Sequence, residues 1–132
     1  MSGETDLATL LRSMQPVLGP DIYVFVTLPS GEPAAARLSP VMTFWEDEGV
    51  THIVPRDEAK AAGLAGAFPC RMITLNVHSS LQAVGFLATV TARLAAGGIS
   101  ANAVSAFYHD HLFVPVERAE EALTVLEKLA RA

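Results

Sequence analysis

Hydrophobic and polar residues recur along the chain with two different periods, which predict a mixture of helices and strands. Near the N-terminus, apolar residues spaced by three and four positions predict a short helix with one buried stripe. The stripe consists of Leu7, Leu10, Leu11 and Met14. Thr5 or Asp6 is expected to cap this helix, because their side-chain oxygens accept hydrogen bonds from free N–H groups in the first turn. Pro16 is expected to end it.

The next segments predict strands and one short helix. Residues 22–28 are rich in β-branched and aromatic residues, which is typical of a buried strand. Residues 41–45 and 50–54 flank an acidic turn and predict a hairpin. Pro55 then begins a helix over residues 56–62, because proline suits the first position of a helix.

The longest predicted helix follows a strand over residues 71–77. Ser79 or Ser80 is expected to cap this helix. Its predicted buried stripe consists of Leu81, Val84, Leu87, Ala88, Thr91, Leu94 and Ala95. Phe86 and Val90 lie off that stripe, and we expect them to form a second buried face against the other half of the chain or another subunit.

A second hairpin and a final helix complete the pattern. Residues 99–108 and 112–114 predict two strands, and Pro115 begins the last helix. The inward-facing positions of that helix are Ala119, Ala122, Leu123, Leu126 and Leu129. The second half therefore has the order β-α-β-β-α, which is typical of a ferredoxin-like unit.

A weak internal repeat relates the two halves of the chain. Val54-Pro55 and Val114-Pro115 lie 60 positions apart, and each pair precedes a predicted helix. The aromatic pair Phe44-Trp45 is predicted to correspond to Phe107-Tyr108. Both halves have a strand followed by a hairpin and a helix, but the first half has no helix between its first two strands.

These patterns predict an α+β fold built from two ferredoxin-like βαββα units. The units are expected to span residues 1–66 and 67–132 and to share a mostly antiparallel sheet with helices on one face. The first unit lacks its crossover helix. We therefore expect the N-terminal helix to cover the sheet face that this deletion leaves bare.

Composition and charge narrow the functional classes. Hydrophobic residues make up 51% of the chain, which is enough for a sizeable core, and the net charge is −5, which argues against nucleic-acid binding. The single cysteine, Cys70, allows no internal disulfide. The sequence has no apolar run long enough to cross a membrane and no basic start of a signal peptide, so we expect a cytoplasmic protein.

Four segments of the second half together resemble an ACT domain. They are residues 73–77, the helical segment 81–87, the Gly-Ile-x-x-Asn string at 98–102, and the hairpin at 104–115. The hairpin contains the more specific marker, Tyr-His-Asp-His-Leu-Phe-Val-Pro. The whole chain resembles a small bacterial family of tandem ACT proteins of about this length, and the second half also resembles the ACT subtype of cytosolic arginine sensors.

The resemblance implies a non-catalytic regulatory protein without a cofactor. ACT domains of this kind bind an amino acid or another small metabolite at an interface between two ACT units. In aspartate-kinase-like members the ligand contacts correspond to Ser80, Leu81, Val84 and Gly85 and to Asn102. In the arginine-sensor subtype an aspartate on the hairpin contacts the ligand, and it corresponds to Asp110.

The residue chemistry agrees with this expectation but leaves simpler alternatives. A helix that begins near Ser80 would present N–H groups to a ligand carboxylate, and Gly85 would allow close approach. Asp110 would supply a counter-charge for an ammonium group. Alternatively, Ser80 only caps the helix, Gly85 only permits tight packing, and Asp110 is a turn residue.

Two other functional classes remain open at the level of the sequence. A metal-dependent enzyme would use His109, Asp110 and His111 as acid, base or metal ligands. The His-x-His pair alone offers too few ligands for a metal, so we predict no metal site. A protein-interaction module would expose apolar residues around Phe86 or Trp45. Pairing of sheet edges into a homodimer is compatible with either binding hypothesis.

Overall fold

The computed structural model describes residues 3–132, which form two compact units. One unit, here called the composite unit, combines the chain up to Pro20 with Arg71–Ala132. The other, here called the inserted unit, is the continuous segment Asp21–Cys70. No helix among residues 3–132 is long and apolar enough to cross a membrane.

Six strands form one sheet, and every strand pair with a defined register is antiparallel. The strands are β1 (Pro16–Leu28), β2 (Met42–Glu46), β3 (Gly49–Pro55), β4 (Ala67–Leu75), β5 (Asn102–Ser105) and β6 (Asp110–Pro115). The strand order is β2-β3-β1-β4-β6-β5. The α-helices are α1 (Leu7–Ser13), α2 (Arg56–Ala61), α3 (Phe86–Ala96) and α4 (Ala119–Arg131). The predicted α+β class with a mostly antiparallel sheet is confirmed.

Helices α1, α3 and α4 build the core of the composite unit. Asp6 caps α1 as predicted, because its carboxylate accepts a hydrogen bond from the N–H of Thr9 at 3.0 Å. Leu10 and Met14 of this segment lie in one core with Leu94 and residues of β4, β6 and α4. The expectation that α1 covers the bare face of the first half is therefore wrong, since its stripe packs against α3 and α4.

Helix α3 begins later than the sequence pattern predicted, and it buries a different face. Gly85 precedes it with a φ of +89°, a left-handed conformation that interrupts any helix starting at residue 80. Its buried residues are Phe86, Val90 and Leu94, which are spaced by four. Leu81, by contrast, is exposed. Most of the predicted stripe is therefore wrong, although Leu94 is buried as predicted. Phe86 and Val90 are buried as expected, but in the same core as Leu94, because apolar residues occur on more than one face of this segment.

The inserted unit has a smaller core and no crossover helix in the described chain. Between β1 and β2 it contains only a short 3-10 helix, Pro33–Arg37, as the predicted deletion implied. Its core consists of Val24, Val26, Leu28, Leu38, Val54 and Ala59. Helix α2 supplies Ala59 to this core and is followed by Gly63, whose φ of +71° ends the helical path.

The two hairpins follow the 60-residue repeat position by position. In the inserted unit Trp45 is paired with Val50, and in the composite unit Ser105 is paired with Asp110. Trp45 thus corresponds to Ser105, and the predicted match of Phe44-Trp45 with Phe107-Tyr108 is wrong. The reason is that β5 ends at Ser105, so the second aromatic pair lies in the loop before β6.

A matched pair of substitutions tests the corrected position of α3. Val90 is fully buried whereas Val84 is 85% exposed. Val90→Ala should lower the free energy of unfolding by about 2 kcal/mol, because it removes buried methyl groups and leaves a cavity. Val84→Ala should change it by less than about 0.5 kcal/mol. Urea unfolding of both variants measures the difference, and equal costs would contradict the observed face.

Candidate ligand-binding site

A cavity of about 100 Å³ lies within the composite unit, between the segment before α3 and the β5–β6 hairpin. Its polar lining comes from Ser79, Ser80, Ser105 and Asp110, and Phe86 contributes apolar surface. Ser105 and Asp110 are brought together because they are opposite one another in the β5–β6 register. The cavity is therefore built from two chain segments that hold three hydroxyl groups and one carboxylate.

The N-terminal segment of the chain holds the serine side of this cavity in place. The N–H of Glu4 donates to the carbonyl of His78 at 2.9 Å, and the N–H of Ser80 donates to the carbonyl of Glu4 at 2.8 Å. Gly3 passes so close that a Cβ on it would lie 2.6 Å from the nitrogen of Ser80. Residues at the start of the chain thus fix a loop more than 70 positions away in the sequence.

The N–H groups near Ser80 are already used by the protein. Ser80 Oγ accepts a hydrogen bond from the N–H of Gln82 at 3.1 Å, and the Ser80 carbonyl accepts one from Ala83. The predicted anion site relied on a helix start near Ser80, but the first turn of α3 begins at Phe86. There Phe86 and Leu87 line the cavity, and the first N–H groups of a helix have no acceptor within it.

Asp110 is the chemically distinctive residue of the cavity. It is only 7% exposed, and its Oδ2 accepts a hydrogen bond from Ser79 Oγ at 3.4 Å. Within residues 3–132, the ion pairs formed by arginine or lysine do not include Asp110. A buried carboxylate that has no cationic partner attracts a positively charged group. The cavity therefore has the chemistry to bind a ligand amine.

The neighbouring His111 does not supply that positive charge at neutral pH. Burial, and secondly the proximity of His109, lower the pKa of His111 below 6.5, although Asp110 opposes this shift. His111 Nδ1 shares a hydrogen bond of 2.9 Å with Thr74 Oγ1. Because successive strand residues point to opposite faces, His111 and Asp110 diverge from one another.

The metal-dependent alternative receives no support from this geometry. The rings of His109 and His111 are 6.4 Å apart and roughly perpendicular. In the part of the chain that the structure describes, no three residues among histidine, cysteine, aspartate and glutamate are grouped to hold a metal ion. Cys70 is fully buried, and burial raises its pKa to about 12, so it is poorly suited to act as a nucleophile.

The structure brings some of the predicted site residues together and separates others. Ser80, Leu81 and Asp110 line the cavity. Val84 is exposed, and Gly85 forms the N-cap of α3 outside the lining. Asn102 is exposed at the start of β5, three positions before Ser105, and does not line the cavity.

Sequence reasoning missed Ser105 and assigned Ser79 only a capping role. Both line the cavity with Asp110. The register of the second hairpin could have indicated Ser105, but it requires the exact end of β5, which the apolar pattern extended to residue 108. Sequence reasoning also missed a cluster of three rings beside the hairpin. The ring centroid of Tyr108 lies 5.1 Å from that of His78 and 4.9 Å from that of Phe107.

Comparison with known families agrees with the fold and the repeat. A sequence profile of the ACT domain matches residues 2–71, and a second ACT-domain profile matches residues 67–128. The chain belongs to the ACT-domain family. The resemblance expected from the sequence is confirmed, and both halves match. ACT domains generally act as regulatory modules that bind small molecules such as amino acids.

One solved structure is similar to this ACT-domain protein along almost its whole length. A Vibrio cholerae protein of unknown function, described as a possible transport protein, is 42% identical, with a TM-score of 0.86 over 98% of this chain and 99% of that chain. The regulatory subunit of aspartate kinase from Thermus thermophilus is 14% identical, with a TM-score of 0.68 over 90% of this chain and 97% of that one. The second likeness shows the fold alone. Comparison with curated proteins finds no match.

The lowered pKa of His111 predicts that stability depends on pH in a defined direction. The unfolded chain takes up this proton near pH 6.5, whereas the folded protein resists it until a lower pH. The contribution of neutral His111 to the free energy of unfolding should therefore be fully present above pH 6.5. It should decrease as the pH falls from 6.5 to the pKa of His111 in the folded protein. His111→Asn should make this part of the profile flatter. Urea unfolding across this range, together with an NMR titration of His111, measures the effect, and a folded pKa above 6.5 would contradict it.

Proposed function

We propose that the chain is a non-catalytic regulatory ACT protein that binds an amino acid in the cavity of the composite unit. The observation that carries this proposal is the burial of the Asp110 carboxylate in a cavity, without a cationic partner among residues 3–132. Membership of the ACT-domain family, whose members generally act as regulatory modules, supports a regulatory rather than a catalytic role.

The polar groups of the cavity suit the two charged ends of an amino acid. The ammonium group would bind the Asp110 carboxylate in a charge-assisted hydrogen bond, with the hydroxyl groups of Ser79 and Ser105 as further partners. The ligand carboxylate would face the first turn of α3, where backbone N–H groups and the helix dipole favour an anion. Leu81 and Phe86 provide apolar contact.

The size of the cavity restricts which part of the ligand is enclosed. At about 100 Å³ it is smaller than the ~300–1,000 Å³ typical of pockets for drug-sized molecules. It therefore encloses the amino and carboxyl groups and leaves a long side chain outside. The expectation of a ligand at an interface between ACT units remains a prediction, as do direct contacts from Val84, Gly85 and Asn102.

Regulation would follow from differential affinity. The cavity is formed by the segment before α3 and by the β5–β6 hairpin, so a ligand that contacts both favours the arrangement in which they are close. We place this protein in the cytoplasm, with a metabolite rather than a nucleic acid or a membrane as its partner. A homodimer through the sheet edges is compatible with this function.

A thermal-shift screen of the proteinogenic amino acids tests the proposal. A ligand at about one hundred times its dissociation constant should stabilise the protein by about 2.7 kcal/mol, which raises the Tm by several degrees. For each amino acid that produces a shift, the analogue lacking the amine should produce none, because it cannot pair with Asp110. For L-alanine that analogue is propionate.

Two isosteric variants make the test specific. Asp110→Asn retains an oxygen that can accept the hydrogen bond from Ser79 but removes the charge, and should weaken binding at least about tenfold. Asp47→Asn removes an exposed carboxylate in the inserted unit and should bind as the wild type does. Unchanged binding by Asp110→Asn, or an equal shift with the deaminated analogue, would contradict the proposed site.

A further inference from the structure

The inserted unit contains a second cavity, of about 240 Å³, that shares no residue with the first. It lies between the segment that follows β1 and the inner side of the β2–β3 hairpin. Glu32 comes from that segment, whereas Thr43, Trp45, Val50 and His52 come from the hairpin. None of these residues was predicted to contact a ligand.

The repeat shows how the chemistry of the second cavity differs from that of the first. Trp45 and Val50 occupy the positions that Ser105 and Asp110 occupy in the composite unit. At these two positions a valine replaces the carboxylate and an indole replaces a hydroxyl group. The second cavity is thus a counterpart of the first with an aromatic wall, and it would recognise a ligand through different contacts.

Trp45 is uncovered although it lies on the core side of the sheet. Opposite residues of a strand pair share a face, so Trp45 lies on the same side as Val50 and His52, which are both less than 9% exposed. Trp45 itself is 73% exposed. The short 3-10 helix stands where a crossover helix would cover this face, and it leaves the indole open to a ligand.

The polar side of the cavity carries negative charge. Glu32 is the only acidic residue in its lining, and its Oε1 accepts one hydrogen bond from the N–H of Ala34 at 3.3 Å. The inserted unit contains seven acidic and three basic residues, so it holds −4 of the net charge of −5. Three of the acids, at positions 46–48, directly follow Trp45. A positive ligand is therefore favoured over a negative one.

The floor of the cavity contains a hydrogen-bonded pair of side chains and neither an arginine nor a lysine. His52 Nδ1 and Thr43 Oγ1 are joined by a hydrogen bond of 2.8 Å, and the two residues are opposite one another in the strand register. No arginine or lysine lines the cavity. The face of an indole attracts an organic cation through its π electrons, and a nearby carboxylate adds to that attraction.

We propose that this cavity is a second binding site, which takes a small organic cation between the indole of Trp45 and the carboxylate of Glu32. Its occupant is distinct from the amino acid bound at Asp110, because the second cavity lacks a buried carboxylate at the corresponding position. The two sites can therefore be tested independently of one another.

The single tryptophan of the chain reports directly on this site. Choline chloride is titrated against the full-length protein at constant chloride concentration while Trp45 fluorescence is recorded. Choline should cause a saturable change in emission. Its neutral isostere, 3,3-dimethylbutan-1-ol, should cause no saturable change at the same concentrations, since it has the same shape without the charge.

Three variants distinguish a local contact from general electrostatics. Glu32→Gln keeps the acceptor for Ala34 and should weaken the choline response about tenfold, because one charge-assisted contact is lost. Asp47→Asn removes a charge that does not line the cavity and should change the apparent dissociation constant by less than about twofold, which corresponds to a screened surface charge. Asp110→Asn should leave the response unchanged.

Several outcomes would overturn the proposal. An equal response to the neutral alcohol would make the site a general apolar pocket, and the absence of a saturable response would leave it without a cation-binding role. A shift of Trp45 emission on concentrating the protein alone would show that a second copy covers the indole. In Asp110→Asn, amino-acid binding should be lost while the choline response stays intact. Failure of the proposal for one site can therefore be distinguished from failure of the proposal for the other.

Discussion

An apolar sheet face is stable in water only where other residues cover it, and the two units meet this requirement to different degrees. In the composite unit, α1, α3 and α4 bury Ile73, Leu75 and Leu112 almost completely. In the inserted unit, α2 and a short 3-10 helix cover a smaller set of residues. The uncovered indole of Trp45 is a direct consequence of the missing crossover helix.

The same difference in cover determines the chemistry of the two cavities. Where the chain between strand and hairpin is long, it closes over Asp110 and leaves a small polar cavity around a buried carboxylate. Where that segment is short, the cavity is larger and its wall is an exposed aromatic ring. The same hairpin register thus occurs beside two cavities of different chemistry. Whether a long segment covers the hairpin decides which of its polar groups are removed from water.

The burial of Asp110, which has no cationic partner in the part of the chain that the structure describes, runs against local stability. Such a carboxylate contributes less to folding than an apolar residue that packs in the same position, because part of its hydration is lost. Local arrangements that disfavour folding are concentrated at functional sites. Val50, at the corresponding position of the inserted unit, shows that an apolar residue fits this point of the hairpin. An apolar residue can therefore occupy this point of the hairpin, and the carboxylate at Asp110 supports the proposed ligand site.

The sequence by itself determined the class of the fold, most of its elements and the 60-residue repeat, because hydrophobic period and capping chemistry act over a few neighbouring residues. Asp6 caps α1 as its chemistry predicts, and Pro55 directly precedes α2. Asp110 was also predicted from the sequence as a site residue, through the resemblance of the second hairpin to ACT domains. Local pattern could not select between two apolar faces of α3, and it could not assign a packing partner to α1. Only the tertiary structure decided these points, and with them the meeting of Ser79 and Ser105 at Asp110, because each depends on contacts between residues far apart in the chain.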